Sequence, residues 1–345
     1  MEVSRDEEVS NASMGRPHLL IVGAGASRAA FPRGEATGRL LPLMNDFTEI
    51  VPVNDILRSS GLKFQSTNFE DIYSELAAGH GKKAELRAAL EDVIFNYFSS
   101  LRLPGTPTIY DHLIWALRPK DVIATFNWDP FLIQAVRRRN PRAGHPRLLF
   151  LHGNVLQGYC GKDRVHGVVG APCSQCGESF GRVRLLYPLK EKNYQEQPAI
   201  RSTWDAAQWA LENAFMVTVF GYGAPQTDRA VMQLFRDAWG GSSRRSLEQF
   251  EFIDVRDEES LVQSWEGFIH THHYEVHRDF FDSWIANHPR RTGEAYWNQY
   301  MEAAFIDSNP IIRTDDFDEL RGWYEPLIAA EQARAEAAGP GPHKS

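Results

Sequence analysis

The sequence predicts an α/β chain: a doubly wound, mostly parallel sheet with an inserted helical subdomain and a small cysteine-containing insertion. Three observations lead there. Short, largely apolar runs at 18–22, 122–126, 148–151, 217–220 and 250–255 alternate with longer helical patterns, and strands covered on both faces read as such runs. That alternation of β and α is the pattern of a doubly wound sheet. The first run enters Gly23-Ala24-Gly25-Ala26-Ser27, a strand–glycine turn–helix unit of Rossmann-like type.

Taken in chain order, residues 1–17 are polar and acidic and are expected to be flexible. The ligand-binding domain is expected over 18–256. Within it, 32–117 is mostly helical, with patterns at 69–78 and 82–99, and is too long for one crossover, so it reads as an inserted subdomain. Helical patterns at 130–139, 203–213 and 226–239 separate the later strands. The stretch 153–185 is rich in glycine and holds all three cysteines, which marks a second, small insertion. Patterns at 279–287, 294–306 and 317–335 make a C-terminal helical region over 257–335, and 336–345 is a Gly/Pro tail expected to be disordered. Aromatic residues crowd that region (Trp265, Phe268, Phe280, Trp284, Trp297, Tyr300, Phe305 and Tyr324 among them). They serve either as core or as a subunit interface.

Composition narrows the function classes. The chain has 345 residues, is 43% hydrophobic and carries a formal net charge of −8. A general nucleic-acid coat is basic, so direct duplex DNA binding is not expected. No apolar block approaches the ~20 residues that span a bilayer, and mean hydropathy is −0.40, so no membrane partner is expected. The N-terminus lacks the apolar core of a secretory signal. An odd count of 3 cysteines fits a reducing compartment, hence a cytoplasmic protein.

Three strand ends carry the chemistry-bearing residues. The glycine turn could bring backbone N–H groups against a phosphate, although Arg28 stands where a third glycine would complete the dinucleotide fingerprint. Thr125-Phe126-Asn127-Trp128-Asp129 follows the second run, and Leu151-His152-Gly153-Asn154 the third. In an open parallel sheet such ends line one ligand crevice. Cys160, Cys173 and Cys176, with His166 as a fourth ligand, have the residue types of a structural zinc site, with a metal-free remnant as the alternative. The His270, His272 and His273 cluster lacks metal-site spacing and reads as surface or strand histidines.

The order of these motifs, followed by Phe220-Gly221-Tyr222-Gly223 and Phe252-Ile253-Asp254, resembles the sirtuins, the NAD-dependent silencing-regulator family. The wording is similar to the branch that serves bacterial anti-phage defence. The resemblance spans residues 19–256 and implies an NAD-binding domain. It implies that Gly23, Ala24, Gly25 and Ser27 meet the pyrophosphate and that Asn127 orients water or the nicotinamide ribose, with Asp129 beside it. His152 would be the acid/base, Gly221 and Gly223 would flank the adenosine half, and Asp254 would take a ribose hydroxyl. Phe31-Pro32-Arg33-Gly34-Glu35 lacks the Asp-Phe-Arg of deacylating members. That departure points to plain hydrolysis of NAD+ to ADP-ribose and nicotinamide, an NAD-depleting activity. The alternatives are an NAD or ADP-ribose sensor and a protein lysine deacylase. The resemblance further implies control by homo-oligomerisation or by a HerA-type hexameric ATPase.

Overall fold

A computed structural model describes residues 2–139, 143–188, 198–224, 229–240, 249–266, 268–269 and 274–337. Its centre is a sheet of six parallel strands: β1 (His18–Val22), β2 (Val122–Thr125), β3 (Arg147–Phe150), β4 (Met216–Phe220), β5 (Gln249–Ile253) and β6 (Tyr274–His277). Their spatial order is β6-β5-β4-β1-β2-β3. Read from the other edge this is the 3-2-1-4-5-6 order of a doubly wound sheet. The chain moves outward from β1 to β3, then returns to β1's other side to start β4. That reversal opens a crevice at the carboxyl ends of β1 and β4, where such sheets bind ligands.

The apolar runs are buried because both faces are covered. Side chains alternate across a strand, so Leu19 and Ile21 enter one core while Leu20 and Val22 enter the other. The first core includes residues of the helices Pro198–Asn213, Arg229–Trp239 and Glu258–Trp265. The second takes in the helices of the insertion, among them Phe69–Ala77, Lys82–Ser99 and Ile109–Ala116, and also the last helix, Phe317–Ala337.

Three expectations need correction. The sheet does not end near residue 256: β6 adds a sixth strand from inside the supposed helical region. Tyr274–His277 is an edge strand with all four residues only partly buried, so it lacks the continuous apolar signal. Residues 2–10 are not loose. Glu2–Val3 pairs with Phe305–Ile306, and Ser4 and Glu7 form a reciprocal cap on the helix Arg5–Ser10. Buried Glu8 meets His288 Nδ1 at 2.9 Å. The polar reading failed because the partners lie some 280 residues away. Finally, the pattern at 294–306 is broken into the helix Thr292–Tyr296, a π turn at Trp297–Met301 and the strand Phe305–Ile306.

The C-terminal aromatics divide. Trp265, Phe268, Phe280, Trp284 and Tyr324 are buried, whereas Trp297, Tyr300 and Phe305 are exposed, together with Met301. The histidines at 270, 272 and 273 and the tail at 338–345 lie outside the described residues. Among the described residues, no helix is long and apolar enough to cross a membrane.

Candidate active site

At the carboxyl ends of the strands lies a cavity of about 450 Å³, a volume typical of small-molecule sites. It is lined by Ala24, Gly25, Ser27, Asn127, Asp129, His152, Gly221, Gly223 and Asp254, which the sequence had placed on five separate strand ends. Gly23 packs against the turn after β4 and does not line the cavity. The cysteines and His166 also lie outside it.

The glycines are there first for backbone packing. A Cβ on Gly23 would stand 2.5 Å from the Gly221 carbonyl oxygen, and one on Gly25 2.8 Å from Gly221 Cα. Gly221 itself has φ 60°, and a Cβ there would reach 2.2 Å from the Ala26 nitrogen. These contacts let the turns after β1 and β4 touch main chain to main chain. Gly23 N–H donates to Phe220 O, Gly25 N–H to Gly221 O and Ala26 N–H to Gly23 O, each at 2.9–3.0 Å. The N–H that this turn could offer a ligand is therefore that of Ala24, the first helical residue, which has no intrahelical acceptor.

Behind the turn sits a closed network that the sequence did not reveal. Ser27 Oγ donates to Asp129 Oδ2 at 2.7 Å. With its proton so used, it accepts from Tyr110 OH at 2.6 Å and from Asn127 Nδ2 at 3.0 Å. Ser27 is thus committed to this network instead of to a phosphate. Asn127 Nδ2 also donates to Gly23 O at 2.9 Å. Its amide donors are spent on protein, which leaves the amide oxygen to meet a ligand. Asn127 N–H is held by Thr125 Oγ1 at 3.0 Å, and Asn154 donates its amide to the Asp129 carbonyl. Burial pushes the Asp129 carboxyl up to about 6, against the lowering effect of its bonds from Ser27 and Phe131 N–H. Burial likewise holds Tyr110 far above an ordinary phenol.

His152 stands edge-on to Phe126, with ring centres 4.9 Å apart. Phe126 in turn stacks on Tyr222 at 4.0 Å and 8°. Phe126, Trp128, Phe220 and Tyr222 also line the cavity, and Phe126 and Tyr222 form the aromatic pair beside the histidine.

No family model matches the chain, and no curated protein matches it. Among solved structures it is similar to a Sir2 protein in complex with a p53 peptide and NAD+, at 12% identity over 84% of this chain and 93% of the other, with a TM-score of 0.36. It is similar also to a Sir2 homologue in complex with ADP-ribose, at 14% identity over 77% and 95% and a TM-score of 0.35. A further structure of a Sir2 enzyme matches at 12% identity over 97% and 100%, with a TM-score of 0.39. Likeness at this level does not assign the chain to that family.

The opposite end of the cavity is charged. Asp254 follows β5, and its carboxylate accepts from the N–H of Arg256 at 3.0 Å and from the guanidinium Nε at 3.2 Å and Nη2 at 2.9 Å. A carboxylate has about four acceptor positions, so one on Oδ2 is left for a hydroxyl. Arg256 and Arg278 line the cavity here. Both were missed because a lone arginine just after a strand carries no periodic signal.

The cysteine cluster is separate from the cavity, and its fourth member is not the one expected. Cys160, Cys173, Cys176 and Asp163 present ligand atoms all within 4.8 Å of one another. His166 is turned away: its Nδ1 meets Gln157 at 3.0 Å and its Nε2 meets Ser202 at 3.0 Å. Register explains the difference. His166 lies on a strand opposite Tyr159, whereas Asp163 sits in the turn that brings the chain back beside Cys160. Cys160 Sγ and Cys176 Sγ are 3.6 Å apart, close to the roughly 3.8 Å edge of a tetrahedron with Zn–S bonds near 2.3 Å. The subdomain's own core has only three buried residues, Cys160, Cys173 and Phe180, a size that needs a staple. The residues present therefore fit a structural zinc ion.

Proposed function

We propose that the chain is an NAD+ glycohydrolase. The observation that carries this reading is the span of the cavity across the switch point. At about 4.8 Å per strand, Asp254 after β5 and Asn127 after β2 stand roughly 14 Å apart, three strand positions along the same edge. A site of that length suits the two halves of a dinucleotide: a ribose-binding carboxylate at one end, an oriented amide oxygen and an imidazole at the other. In the reaction the C–N bond to nicotinamide breaks with its electron pair leaving on the nicotinamide, and the ribose passes through an oxocarbenium-like state. The Asn127 amide oxygen orients the attacking water or a ribose hydroxyl, and His152 takes the proton that water releases as the new C–O bond forms. Phe126 and Tyr222 shield this end from bulk water. Three thiolates and Asp163 hold zinc as a structural ion away from the reaction.

An unregulated activity of this kind depletes its host. We therefore place its control in assembly, with copies of the chain or a HerA-type ATPase covering the exposed Trp297, Tyr300, Met301 and Phe305, in a cytoplasmic anti-phage role. The test of the chemistry is nicotinamide release from NAD+ with no acetylated peptide, by the wild type and by Asn127→Ala and His152→Ala. Removing a positioned acid/base costs about 10²–10⁴-fold in rate, so both variants are expected to fall at least that far. Turnover at wild-type rates by either folded variant overturns the assignment. Release that requires an acylated peptide marks a deacylase instead, and binding without release marks a sensor.

A further inference from the structure

We propose that the Asp254 end of the cavity is built for a ribose that carries a 2′-phosphate, so that the chain takes NADP+ in preference to NAD+. This rests on the dinucleotide reading above and specifies its substrate.

The argument begins with register. β5 and β6 run parallel with His277 opposite Ile253, and the next bond of the ladder, Asp254 N–H to His277 O at 3.0 Å, continues it beyond the strands. Asp254 and Arg278 therefore leave the sheet edge side by side, and both line the cavity. Arg256, two residues on, closes a fork over Asp254 and reaches the Gly223 carbonyl at 3.4 Å. The charge of Asp254 is thus balanced where it stands.

Arg278 is different. It is exposed and makes no ion pair among the described residues. The acids beside it are occupied elsewhere: Glu275 bonds Tyr300 and His277, and Asp279 caps Phe281 N–H and faces Arg313 at 3.8 Å. The remaining acids of the cavity are Asp129, buried in the Ser27 network, and Glu70, next to Phe69, which stacks on Phe47 beside Trp128 at the far end. Among the described residues, one guanidinium charge is left over at the ribose end.

At a bound ribose, a lone carboxylate favours the free 2′-hydroxyl and repels a phosphate there, whereas a nearby arginine accommodates a 2′-phosphate. Such a phosphate adds about −1.5 to −2 charge at pH 7. With Asp254 neutralised by Arg256, the carboxylate no longer repels such a phosphate, and the exposed Arg278 supplies one positive charge toward it.

The experiment measures binding of ADP-ribose and of ADP-ribose 2′-phosphate by titration calorimetry. Neither ligand has a bond to nicotinamide, so active wild-type protein can be used. We expect the phosphorylated ligand to bind about tenfold or more tightly, as fits one charge-assisted arginine–phosphate contact, and its affinity to fall more steeply with salt. Arg278→Ala is expected to erase most of that preference, and Arg278→Lys to keep part of it. ADP-ribose binding as tightly as its 2′-phosphate, or more tightly, overturns the proposal while leaving the dinucleotide reading intact. Equal weakening of both ligands by Arg278→Ala also overturns it, since the arginine would then serve the pyrophosphate common to both. Absence of binding by either ligand overturns this proposal and the dinucleotide reading together.

Discussion

Asp129→Asn is expected to make the protein more stable at pH 8 than at pH 4, relative to the wild type. Asp129 is buried, and burial lifts its carboxyl from 3.8 to about 6. The folded state therefore holds a proton that the unfolded chain has already released. Stability from this group is present below about pH 4, is lost as pH rises through about 6, and stays lost above it. A shift of about two units corresponds to about 3 kcal/mol at roughly 1.4 kcal/mol per unit. The variant escapes that loss. At low pH it resembles the protonated acid in shape and in its hydrogen bonding, since in each one oxygen accepts from Phe131 N–H and the other position donates to Ser27 Oγ. Other titrations occur in both proteins and cancel in the difference. The assay is thermal unfolding of both proteins at pH 4 and pH 8. For a chain of 345 residues the widening corresponds to roughly 4 °C in favour of the variant, at about 2 cal/mol/K of unfolding entropy per residue. A gap that does not widen with pH, or a variant that loses ground at pH 8, would show that the ionised carboxylate is welcome in this network and would refute the reasoning.

Gly221→Ala is expected to lower the melting temperature sharply or to yield little folded protein, because its Cβ meets the Ala26 nitrogen at 2.2 Å. Gly223→Ala, whose Cβ meets nothing nearer than the Arg256 guanidinium at 3.9 Å, should melt with the wild type; equal melting of the two variants would remove the packing role of Gly221. Elemental analysis of purified protein should find zinc bound to the chain. Asp163→Ala or Cys173→Ser should lose it and His166→Ala should keep it, whereas loss with His166→Ala would restore the histidine as the fourth ligand.

Much of the architecture was legible because burial on two faces leaves a local mark. Five of the six sheet strands were visible as apolar runs, and the helix at Lys82–Ser99 was placed to the residue. The strand ends were legible for the same reason: a run that stops at Gly-Ala-Gly, Asn-Trp-Asp or His-Gly names its own C-terminal turn. What a local mark cannot carry is a partner. Tyr110 reads as one aromatic in a helical insertion, yet its hydroxyl lies 2.6 Å from Ser27 Oγ, 83 residues away. Glycine 25 reads as a phosphate-loop residue, yet its Cβ position is filled by the Gly221 main chain. His166 has the right element preference for zinc, but strand register sends it to Gln157 and Ser202.

The sequence by itself determined the class of fold, the strand ends that would meet at a crevice and the residue types on offer there, since those follow from periodicity and from side-chain chemistry. Only the tertiary structure decided how those residues are used. Strand order set which ends are neighbours, and so placed Arg278 beside Asp254. Close packing set which hydrogen-bonding groups were spent on protein, and so left Asn127 its oxygen and Ser27 nothing. Burial set the charge state of Asp129. Each of these depends on groups far apart in the chain that come within a few ångströms only after folding, and a local pattern of residues does not encode that distance.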